Sequence, residues 1–336
     1  MRHVFLFGLA LPLLGLAAPR AQAQEEAPKR DFIRIATWNI ENWSDNFQAE
    51  RDKKERPRPD NEWEDNAARQ EGYQNDEDNW EIAQTILDEN FLPDVLVFQE
   101  GAADSEVQSF KDKWLEGKYQ RHIVFPGNSD RGQTLGMLLR PGLTVVETRD
   151  QYYKIPDSAE DINPRSDFLF ARGPAFVLLE TEDGYRFWVG TTHQKSKGGN
   201  DVPTTRWRMG EAAKTHEIMK ELAGEGARDV VLLGDMNDEL GFQEFEQEAG
   251  GDVIATLVGD DRDGFELLTR DLALGGYISY TGYWRPNYRS FIDHIVVTPE
   301  MADQVEKVMV VDTPWARVAS DHLPVYVDVK PDSSSN

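Results

Sequence analysis

The sequence predicts an α+β fold in which buried strands alternate with helices. Short apolar runs that end in turn residues recur along the chain, which is typical of strands buried on both faces. Stretches between these runs carry apolar residues at helical spacing. The composition, with 39% hydrophobic, 29% charged and 10% aromatic residues, is that of a globular protein with a substantial core.

The most informative run is residues 230–238, in which four branched apolar residues lead into Gly234. Glycine permits a sharp turn at the end of the predicted strand. Asp235 and Asn237 follow two positions apart, so an extended chain places both side chains on the same side. The run therefore predicts a carboxylate and a carboxamide at the rim of a rigid sheet, where catalytic groups are commonly placed. A turn in which both side chains only bond the backbone is the alternative interpretation.

The N-terminus has the features of a signal peptide. Arg2 and His3 form a basic start, residues 4–18 are apolar but short for a membrane span, and a small-x-small cleavage site ends at Ala23. We expect a signal peptide over 1–23, a linker over 24–30, a domain over 31–331 and a disordered tail over 332–336. The protein is then exported to the periplasm or beyond, without stable membrane association; an N-terminal membrane anchor is the less favoured interpretation.

The chain is strongly acidic and has no cysteine. Removal of residues 1–23, which carry Arg2, Arg20 and no acid, takes the net charge from -25 to -27. This charge disfavours non-specific binding to polyanions, so a phosphate-bearing substrate would need a local basic patch. Many carboxylates suit a divalent cation with oxygen ligands. An exported chain without cysteine must be stabilised by its core or by metal, because disulfides are excluded.

Polar residues also mark the ends of the other predicted strands. The first strand, over 31–42, carries Asn39 near its end. Residues 43–79 form a polar insertion, in which Asp76-Glu77-Asp78 is interpreted as a solvated acidic turn in preference to a calcium site. A helix over 80–91 then precedes a strand that ends in Glu100. An acid directly after four apolar residues is costly unless it is paired or bound to metal, and we favour a metal ligand.

Later elements continue this arrangement. Arg172 lies in an apolar segment, His193 ends a strand, and Asp293 lies inside one. Asp321-His322 directly precedes the last strand. The remaining predicted elements are helices over 105–115 and 210–222, strands over 120–125, 134–139 and 143–147, and a surface loop over 150–167.

Two stretches could contact an anionic substrate. Residues 194–200 form a basic, flexible loop, and the cationic stretch 194–209 carries Lys195, Lys197, Arg206 and Arg208 against one acid. Residues 280–289 interleave aromatic residues with Arg285 and Arg289, which suits a substrate rim and equally suits an ordinary hairpin.

The ordered set of motifs resembles the endonuclease/exonuclease/phosphatase superfamily, with the deoxyribonuclease-I-like fold. The pieces that carry the resemblance are Thr37-Trp38-Asn39, Phe98-Gln99-Glu100, Thr192-His193, Gly234-Asp235-Met236-Asn237, Ile292-Asp293-His294 and Ser320-Asp321-His322. Within that superfamily the chain is similar to bacterial secreted nucleases, which usually carry an apolar residue where Gln194 stands. The resemblance covers about residues 30–330. It implies a four-layer α/β/β/α sandwich of two mixed β-sheets, with the site at one edge.

The resemblance also implies roles for these residues. His322 would be the general base and Asp293 would fix its tautomer, while His193 would bind the phosphate or protonate the leaving oxygen. Asp235 and Asn237 would orient phosphate and nucleophile. Arg172 would support the ligand shell or the phosphate, and the ligands of Mg²⁺, or of Mn²⁺ or Ca²⁺, would be Asn39, Glu100 and Asp321. The two cationic stretches add Lys195, Lys197, Arg285 and Arg289 as predicted phosphate contacts.

These residues predict an exported, monomeric, metal-dependent phosphodiesterase. We favour a nuclease that hydrolyses DNA or RNA. A phosphodiesterase or phosphatase acting on a small or lipid-linked phosphate ester, similar to a sphingomyelinase or an inositol phosphatase, is the alternative that the negative charge supports. A non-catalytic binding module is disfavoured because every expected catalytic position is filled.

Overall fold

A computed structural model describes residues 30–43, 76–129, 132–157, 167–197, 202–241, 244–259, 264–281 and 288–331. Residues 1–31 and 32–336 separate into two units, and every element below belongs to the second. The signal peptide, most of the 24–30 linker, most of the 43–79 insertion, Arg285 and the 332–336 tail lie outside the described residues. No helix in the described ranges is long and apolar enough to cross a membrane.

The strands, in chain order, are β1 (Ile33–Asn39), β2 (Val95–Gly101), β3 (Arg121–Phe125), β4 (Thr134–Leu139), β5 (Leu143–Arg149), β6 (Ala175–Thr181), β7 (Arg186–His193), β8 (Val230–Asp235), β9 (Glu266–Leu267), β10 (Tyr280–Thr281), β11 (Arg289–Ser290), β12 (Asp293–Val297), β13 (Val305–Val310) and β14 (Val325–Val329). The helices are α1 (Asp76–Ile86), α2 (Asp104–Trp114), α3 (Val202–Gly224), α4 (Glu244–Ala249), α5 (Val253–Val258), α6 (Arg270–Leu274), α7 (Pro299–Ala302) and α8 (Pro314–Ala319), with a 3₁₀ turn at Gln151–Lys154.

Two six-stranded sheets form the centre of the fold. The first has the order β13-β14-β1-β2-β4-β3 and the second β5-β6-β7-β8-β12-β9. The pairs β1–β2 and β7–β8 are parallel and the other pairs are antiparallel, so both sheets are mixed. The short strands β10 and β11 pair with each other and form a separate two-stranded sheet.

Alternation along the strands separates three apolar layers. Side chains such as Val97 and Val189 form the core between the sheets. On the outer face of the first sheet, Phe98 packs with α1 and α2 through residues such as Ile82. On the outer face of the second sheet, Trp188 packs with α3. The predicted four-layer sandwich of two mixed sheets is therefore confirmed.

Two predicted boundaries are wrong. Helix α3 begins at Val202, eight residues before the predicted start, because Pro203 is compatible with a first helical turn, where its missing N–H is not needed. Helix α1 begins at Asp76, so Asp76-Glu77-Asp78 is helical and not an acidic turn of the insertion.

Gly234 serves a close approach of two strands and not the predicted turn. It lies inside β8, and a Cβ at this position would overlap the backbone carbonyl of Thr192. The turn comes later, at Asn237, whose φ is 51°. The positive-φ conformation of the turn therefore occurs at Asn237, three residues after Gly234, where the sequence had indicated it.

We expect Gly234→Ala to lower the free energy of unfolding by about 3 kcal/mol, because the new methyl group must displace the Thr192 backbone. Urea unfolding measures the effect. Gly224→Ala is the control, since the end of α3 offers open space for a methyl group and alanine favours a helix. If Gly234→Ala and Gly224→Ala had the same midpoint of urea unfolding, β7 and β8 would be able to move apart at Thr192 without loss of stability, which would contradict the prediction.

Candidate active site

The ends of β1, β7, β8 and β12 bring four predicted site residues to one edge of the sandwich. His193 pairs with Asp235 in the parallel β7–β8 register, and Asp293 pairs with Asp235 in the antiparallel β12–β8 register. Their side chains continue the inward-facing rows of the core, because every second residue of a strand faces the same way. The same alternation in β1 continues the row of Ile35 with Asn39. The interior of the sandwich therefore ends in a row of polar groups.

Asp235 lies at the centre of this row. Its Oδ2 accepts hydrogen bonds from Asn39 Nδ2 at 3.1 Å and from His193 Nε2 at 3.2 Å, and its Oδ1 accepts the N–H of Asn237 at 2.8 Å. Burial by itself would raise the pKa of Asp235, but His193, His322 and the Asn237 N–H outweigh burial and lower it. Asp235 is therefore a buried, ionised acceptor that joins the two sheets.

His322 and Asp293 form a buried pair. His322 Nδ1 lies 2.8 Å from Asp293 Oδ2, while His322 Nε2 faces Asp235 Oδ2 at 3.8 Å and Asp321 Oδ1 at 3.9 Å. Burial lowers the pKa of His322, but the carboxylates of Asp293, Asp235 and Asp321 outweigh burial and hold it well above its ordinary value. Its Nε2 is thus a strongly basic nitrogen at the edge of the site.

Backbone contacts fix the loop that carries His322. Ser320 Oγ donates to the carbonyl of Asn39 at 2.6 Å and accepts the N–H of His322 at 3.0 Å. Trp38 Nε1 donates to the His322 carbonyl at 3.0 Å. These bonds attach the loop before β14 to the end of β1.

His193 is neutral in this arrangement. Its complete burial and the nearby charge of Arg172 lower its pKa, and the carboxylates of Asp235 and Glu100 only partly oppose this. The ring therefore donates one N–H from Nε2 to Asp235, at 3.2 Å. It is placed as a hydrogen-bond donor at the same edge as His322.

Glu100 reaches the site through a backbone irregularity. The pairing of β2 with β4 shifts register between Phe98 and Gly101, and Glu100 has a φ of 55°. Without this bulge, alternation would turn Glu100 toward the helices, because Gln99 faces inward. In the bulge its Oε1 lies 4.0 Å from His193 Nε2 and its Oε2 accepts the Asn42 N–H at 3.0 Å.

The predicted metal ligands fit a hard divalent cation by their chemistry. Asn39, Glu100 and Asp321 offer amide and carboxylate oxygens, which Mg²⁺, Mn²⁺ and Ca²⁺ prefer. Glu100 lies at the mouth of the site with 15% of its side chain exposed, and Asp321 with 23%. Among the residues that the structure describes, no three His, Cys, Asp or Glu side chains already converge as a metal-binding group.

Arg172 joins several parts of the site by hydrogen bonds. Its Nη1 donates to Gln133 Oε1 at 3.1 Å and its Nη2 to the carbonyl of Gln194 at 3.2 Å. Asn237 Nδ2 donates to the same carbonyl at 3.1 Å. Arg172 therefore supports the backbone that follows His193, and its predicted role in phosphate binding stays a prediction.

The predicted cationic loop over 194–209 is wrong in its second half, because residues 202–209 belong to α3. Lys197 Nζ and Arg208 Nε both lie 2.9 Å from carboxylate oxygens of Asp238, which is fully buried. Arg208 is itself buried on α3, so it is not a loop residue. The buried carboxylate of Asp238 thus compensates part of the positive charge that the sequence predicted to contact substrate.

Two other predicted phosphate ligands, Lys195 and Arg289, lie within the described residues. Lys195 Nζ donates to the carbonyl of Ser196 at 3.1 Å and lies 5.6 Å from the centroid of the Trp207 ring. Arg289 is exposed in β11. Their contact with substrate stays a prediction.

Two tyrosines beside His322 are absent from the predicted catalytic and phosphate-binding sets. The Tyr280 ring centroid lies 4.7 Å from that of His322, and the two residues form an isolated β-bridge. Tyr288 packs against Tyr280 at 6.2 Å and donates from its hydroxyl to Glu239 Oε1 at 2.7 Å. The aromatic content of residues 280–289 was the available signal, but no sequence pattern could place Tyr280 against His322.

His294 makes stability depend on pH. Its ring is buried between Thr269 Oγ1, at 2.9 Å from Nδ1, and the carbonyl of Asp238, at 3.0 Å from Nε2. Burial lowers its pKa to about 4. The unfolded chain binds a proton at this histidine below pH 6.5, whereas the folded chain binds it only below about pH 4. The free energy of unfolding therefore falls as the pH is lowered through this window.

We expect this effect to remove about 3 kcal/mol between pH 6.5 and pH 4. Urea unfolding of the wild type and of His294→Gln at several pH values measures it. The variant should lose less stability over the window, because it carries no proton-binding ring at this position. Parallel pH dependence in the two proteins would contradict the assignment.

Comparison with known families gives one match over most of the chain. A model described as the endonuclease/exonuclease/phosphatase family matches residues 36–322. No curated protein matched the sequence.

Solved structures share the fold at low identity. An endonuclease/exonuclease/phosphatase family protein from Bacteroides thetaiotaomicron is 19% identical, with 89% of this chain and 94% of that chain covered and a TM-score of 0.58. A mannosyl-6-phosphatase from the same organism is 20% identical, with 88% and 98% covered and a TM-score of 0.56. D. rerio TDP2 complexed with single-strand DNA product is 17% identical, with 89% and 99% covered and a TM-score of 0.53.

Proposed function

Because the chain belongs to the endonuclease/exonuclease/phosphatase family, whose hydrolases act on phosphoester bonds, we propose that it is an exported, metal-dependent phosphodiesterase that hydrolyses nucleic acid. The observation that carries this proposal is the buried His322–Asp293 pair, with 2.8 Å between Nδ1 and Oδ2, beside the ionised Asp235. A histidine held in one tautomer by a carboxylate is the arrangement that general-base catalysis requires.

In the proposed reaction His322 Nε2 takes a proton from the attacking water. Asp293 holds the Nδ1 proton and stabilises the imidazolium that forms. The carboxylates of Asp293, Asp235 and Asp321, which raise the pKa of His322, stabilise its imidazolium form. Asp235 and Asn237, joined through the Asn237 N–H at 2.8 Å, orient the water and the phosphate.

His193 is the second group that acts on the phosphate. Its Nε2 N–H donates a hydrogen bond to a phosphoryl oxygen, or the ring first takes up a proton from solvent and, as an imidazolium, gives that proton to the leaving oxygen. Asn39, Glu100 and Asp321 would hold the divalent cation. Such an ion supplies positive charge that neutralises the phosphate.

The nucleic-acid substrate is supported by the aromatic residues next to His322. Tyr288 is 36% exposed and its ring is fixed between Tyr280 and Glu239, so it offers a face on which a base can stack. TDP2, a structural neighbour, is known in complex with single-strand DNA product. The alternative, a small phosphate ester, is favoured by the net charge of -25 and by the likeness to a mannosyl-6-phosphatase.

A substrate panel tests the proposal. Protein that begins at Gln24 is incubated with plasmid DNA, single-stranded DNA, RNA, mannose 6-phosphate and sphingomyelin vesicles, in Mg²⁺ and in EDTA. We expect cleavage of at least one nucleic acid in Mg²⁺ and none in EDTA. Turnover of only the sugar or lipid ester would replace nuclease with the alternative, and inactivity on all five would end the proposal.

Export is proposed on the signal-peptide features of residues 1–23. Fractionation of cells that express the full chain, followed by N-terminal sequencing, should recover protein outside the cytoplasm that begins near Gln24. Recovery of an intact Met1 in the membrane fraction would favour an anchor instead. Gel filtration of the same protein is expected to show a monomer.

Tyr288→Ala should weaken binding of an oligonucleotide by about 5- to 100-fold, seen as a higher KM, because it removes the exposed ring. The matched control is Tyr277→Ala, since Tyr277 is also exposed, at 52%. An oligonucleotide with abasic residues should show a much smaller difference between wild type and Tyr288→Ala. An equal loss for both oligonucleotides would mean that Tyr288 supports the site without stacking on bases.

A further inference from the structure

A second polar row lies directly beneath the row of site residues. Thr37 of β1, Gln99 of β2 and Thr191 of β7 are all 0% exposed. They occupy the next inward-facing positions of the apolar rows formed by Ile35, Val97 and Val189. We call Thr37, Gln99 and Thr191 the polar floor.

Hydrogen bonds connect the polar floor across the gap between the sheets. Gln99 Nε2 donates to Thr37 Oγ1 at 3.0 Å within the first sheet and to Thr191 Oγ1 at 2.9 Å in the second. Thr37 Oγ1 can return a hydrogen bond to Gln99 Oε1, at 3.2 Å. The primary amide of Gln99 thus forms a cross-link between two sheets whose other buried contacts here are largely apolar.

Each member of the polar floor stands next to site residues along its own strand. Thr37 is two residues before Asn39, Thr191 is two before His193, and Gln99 directly precedes Glu100. The cross-link therefore lies one inward-facing position further into the sandwich than the site contacts that join the two sheets.

We propose that Gln99 is a positioning residue, which sets the separation of Asn39 and Glu100 on the first sheet from His193 and Asp235 on the second. The inference rests on the proposed function for its catalytic consequence. The distances that it controls are the 3.1 Å between Asn39 Nδ2 and Asp235 Oδ2 and the 4.0 Å between Glu100 Oε1 and His193 Nε2.

Stability alone does not explain a buried amide at this position. Apolar packing between sheets is non-directional, and replacing all members of a buried hydrogen-bonded set with apolar groups of similar shape is nearly neutral for stability. What the hydrogen bonds add is a fixed distance and direction. A misplacement of about 1 Å at a catalytic site can cost about 100-fold in rate, so a directional cross-link beneath the site has a large effect on catalysis.

The test separates positioning from stability by replacing the whole polar floor. Gln99→Met alone leaves two buried hydroxyls without their amide partner and should lower the midpoint of urea unfolding. The triple variant Thr37→Val/Gln99→Met/Thr191→Val leaves no unpaired polar group in the floor and should regain most of that midpoint. We expect the triple variant still to have kcat at least about 10-fold below wild type, with KM changed less than about twofold.

Two further variants make the result specific. Thr191→Val removes only the bond between the sheets, preserves the side-chain shape, and should show a smaller loss of kcat than the triple variant. Gln304→Met is the matched control: Gln304 Nε2 donates to Asp229 Oδ2 at 3.0 Å, at the opposite end of β8 from Asp235, and its loss should lower stability without lowering kcat.

A spectroscopic measurement makes the test independent of activity. The Nε2 signal of His193 in a ¹⁵N-edited spectrum, assigned with His193→Gln, reports its hydrogen bond to Asp235. We expect it to shift in the triple variant and to stay unchanged in Gln304→Met. Wild-type kcat and an unshifted His193 signal in a stable triple variant would overturn the inference. If the wild type is inactive on every substrate but the His193 signal still shifts in the triple variant, the proposed function is refuted and the positioning role of Gln99 remains supported.

Discussion

His322→Ala is expected to lower kcat about 10²- to 10⁴-fold, because in the proposed reaction it removes the group that takes the proton from water. The ring is buried and its Nδ1 lies 2.8 Å from Asp293 Oδ2, so the variant leaves Asp293 as a buried acid without this partner. Burial already raises the pKa of Asp293, and without His322 that carboxyl takes up a proton. The loss of activity therefore need not be accompanied by unfolding.

The measurement is steady-state hydrolysis of the best substrate from the panel, with circular dichroism as the check on folding. His216→Ala is the matched control, because His216 lies on α3 and bonds the carbonyl of Leu257 at 3.0 Å, away from the site residues. Added imidazole should restore part of the rate of His322→Ala and none of any loss in His216→Ala. A folded His322→Ala that keeps the wild-type kcat would exclude His322 as the base.

Asp235→Asn is expected to lower kcat/KM by about 100-fold or more. The new amide preserves the shape but not the charge. Its NH₂ group cannot accept a hydrogen bond, so the variant loses either the bonds from Asn39 Nδ2 and His193 Nε2 or the bond from the Asn237 N–H. Loss of the Asp235 charge also removes one cause of the raised pKa of His322, which weakens the base.

The control is Asp229→Asn, just before the other end of the same strand. Asp229 is 7% exposed and accepts from Gln304 Nε2 at 3.0 Å, so the variant repeats the loss of a mostly buried carboxylate at a distance from the site. Activity assays and urea unfolding of both variants distinguish a catalytic loss from a general one. If Asp229→Asn lowers kcat/KM as much as Asp235→Asn, the effect belongs to the sheet and not to the site.

The positions of many candidate site residues could be predicted because their side chains follow strand periodicity. Asp235 directly follows an inward-facing apolar row, and Asn39 and His193 end such rows after one threonine each, so the sequence shows the rows directly. Glu100 was predicted from the cost of an acid after a buried run, although the bulge that turns it toward His193 leaves no sequence pattern of its own.

Other features depended on contacts between distant parts of the chain. The basic loop was misinterpreted because charge counts take no account of Asp238, whose carboxylate binds both Lys197 and Arg208. Gly234 was assigned to a turn, because a close approach to the Thr192 carbonyl exists only once β7 and β8 pair.

The sequence by itself determined which chemical groups stand at the ends of the strands, since alternation is a local property of an extended chain. Only the tertiary structure decided which of those groups meet and what holds them apart. Gln99 and Thr191 are 92 positions apart in the chain, and their 2.9 Å hydrogen bond exists because two sheets stack with a particular register. Register between sheets is a property of packing, and neither residue type nor spacing encodes it locally.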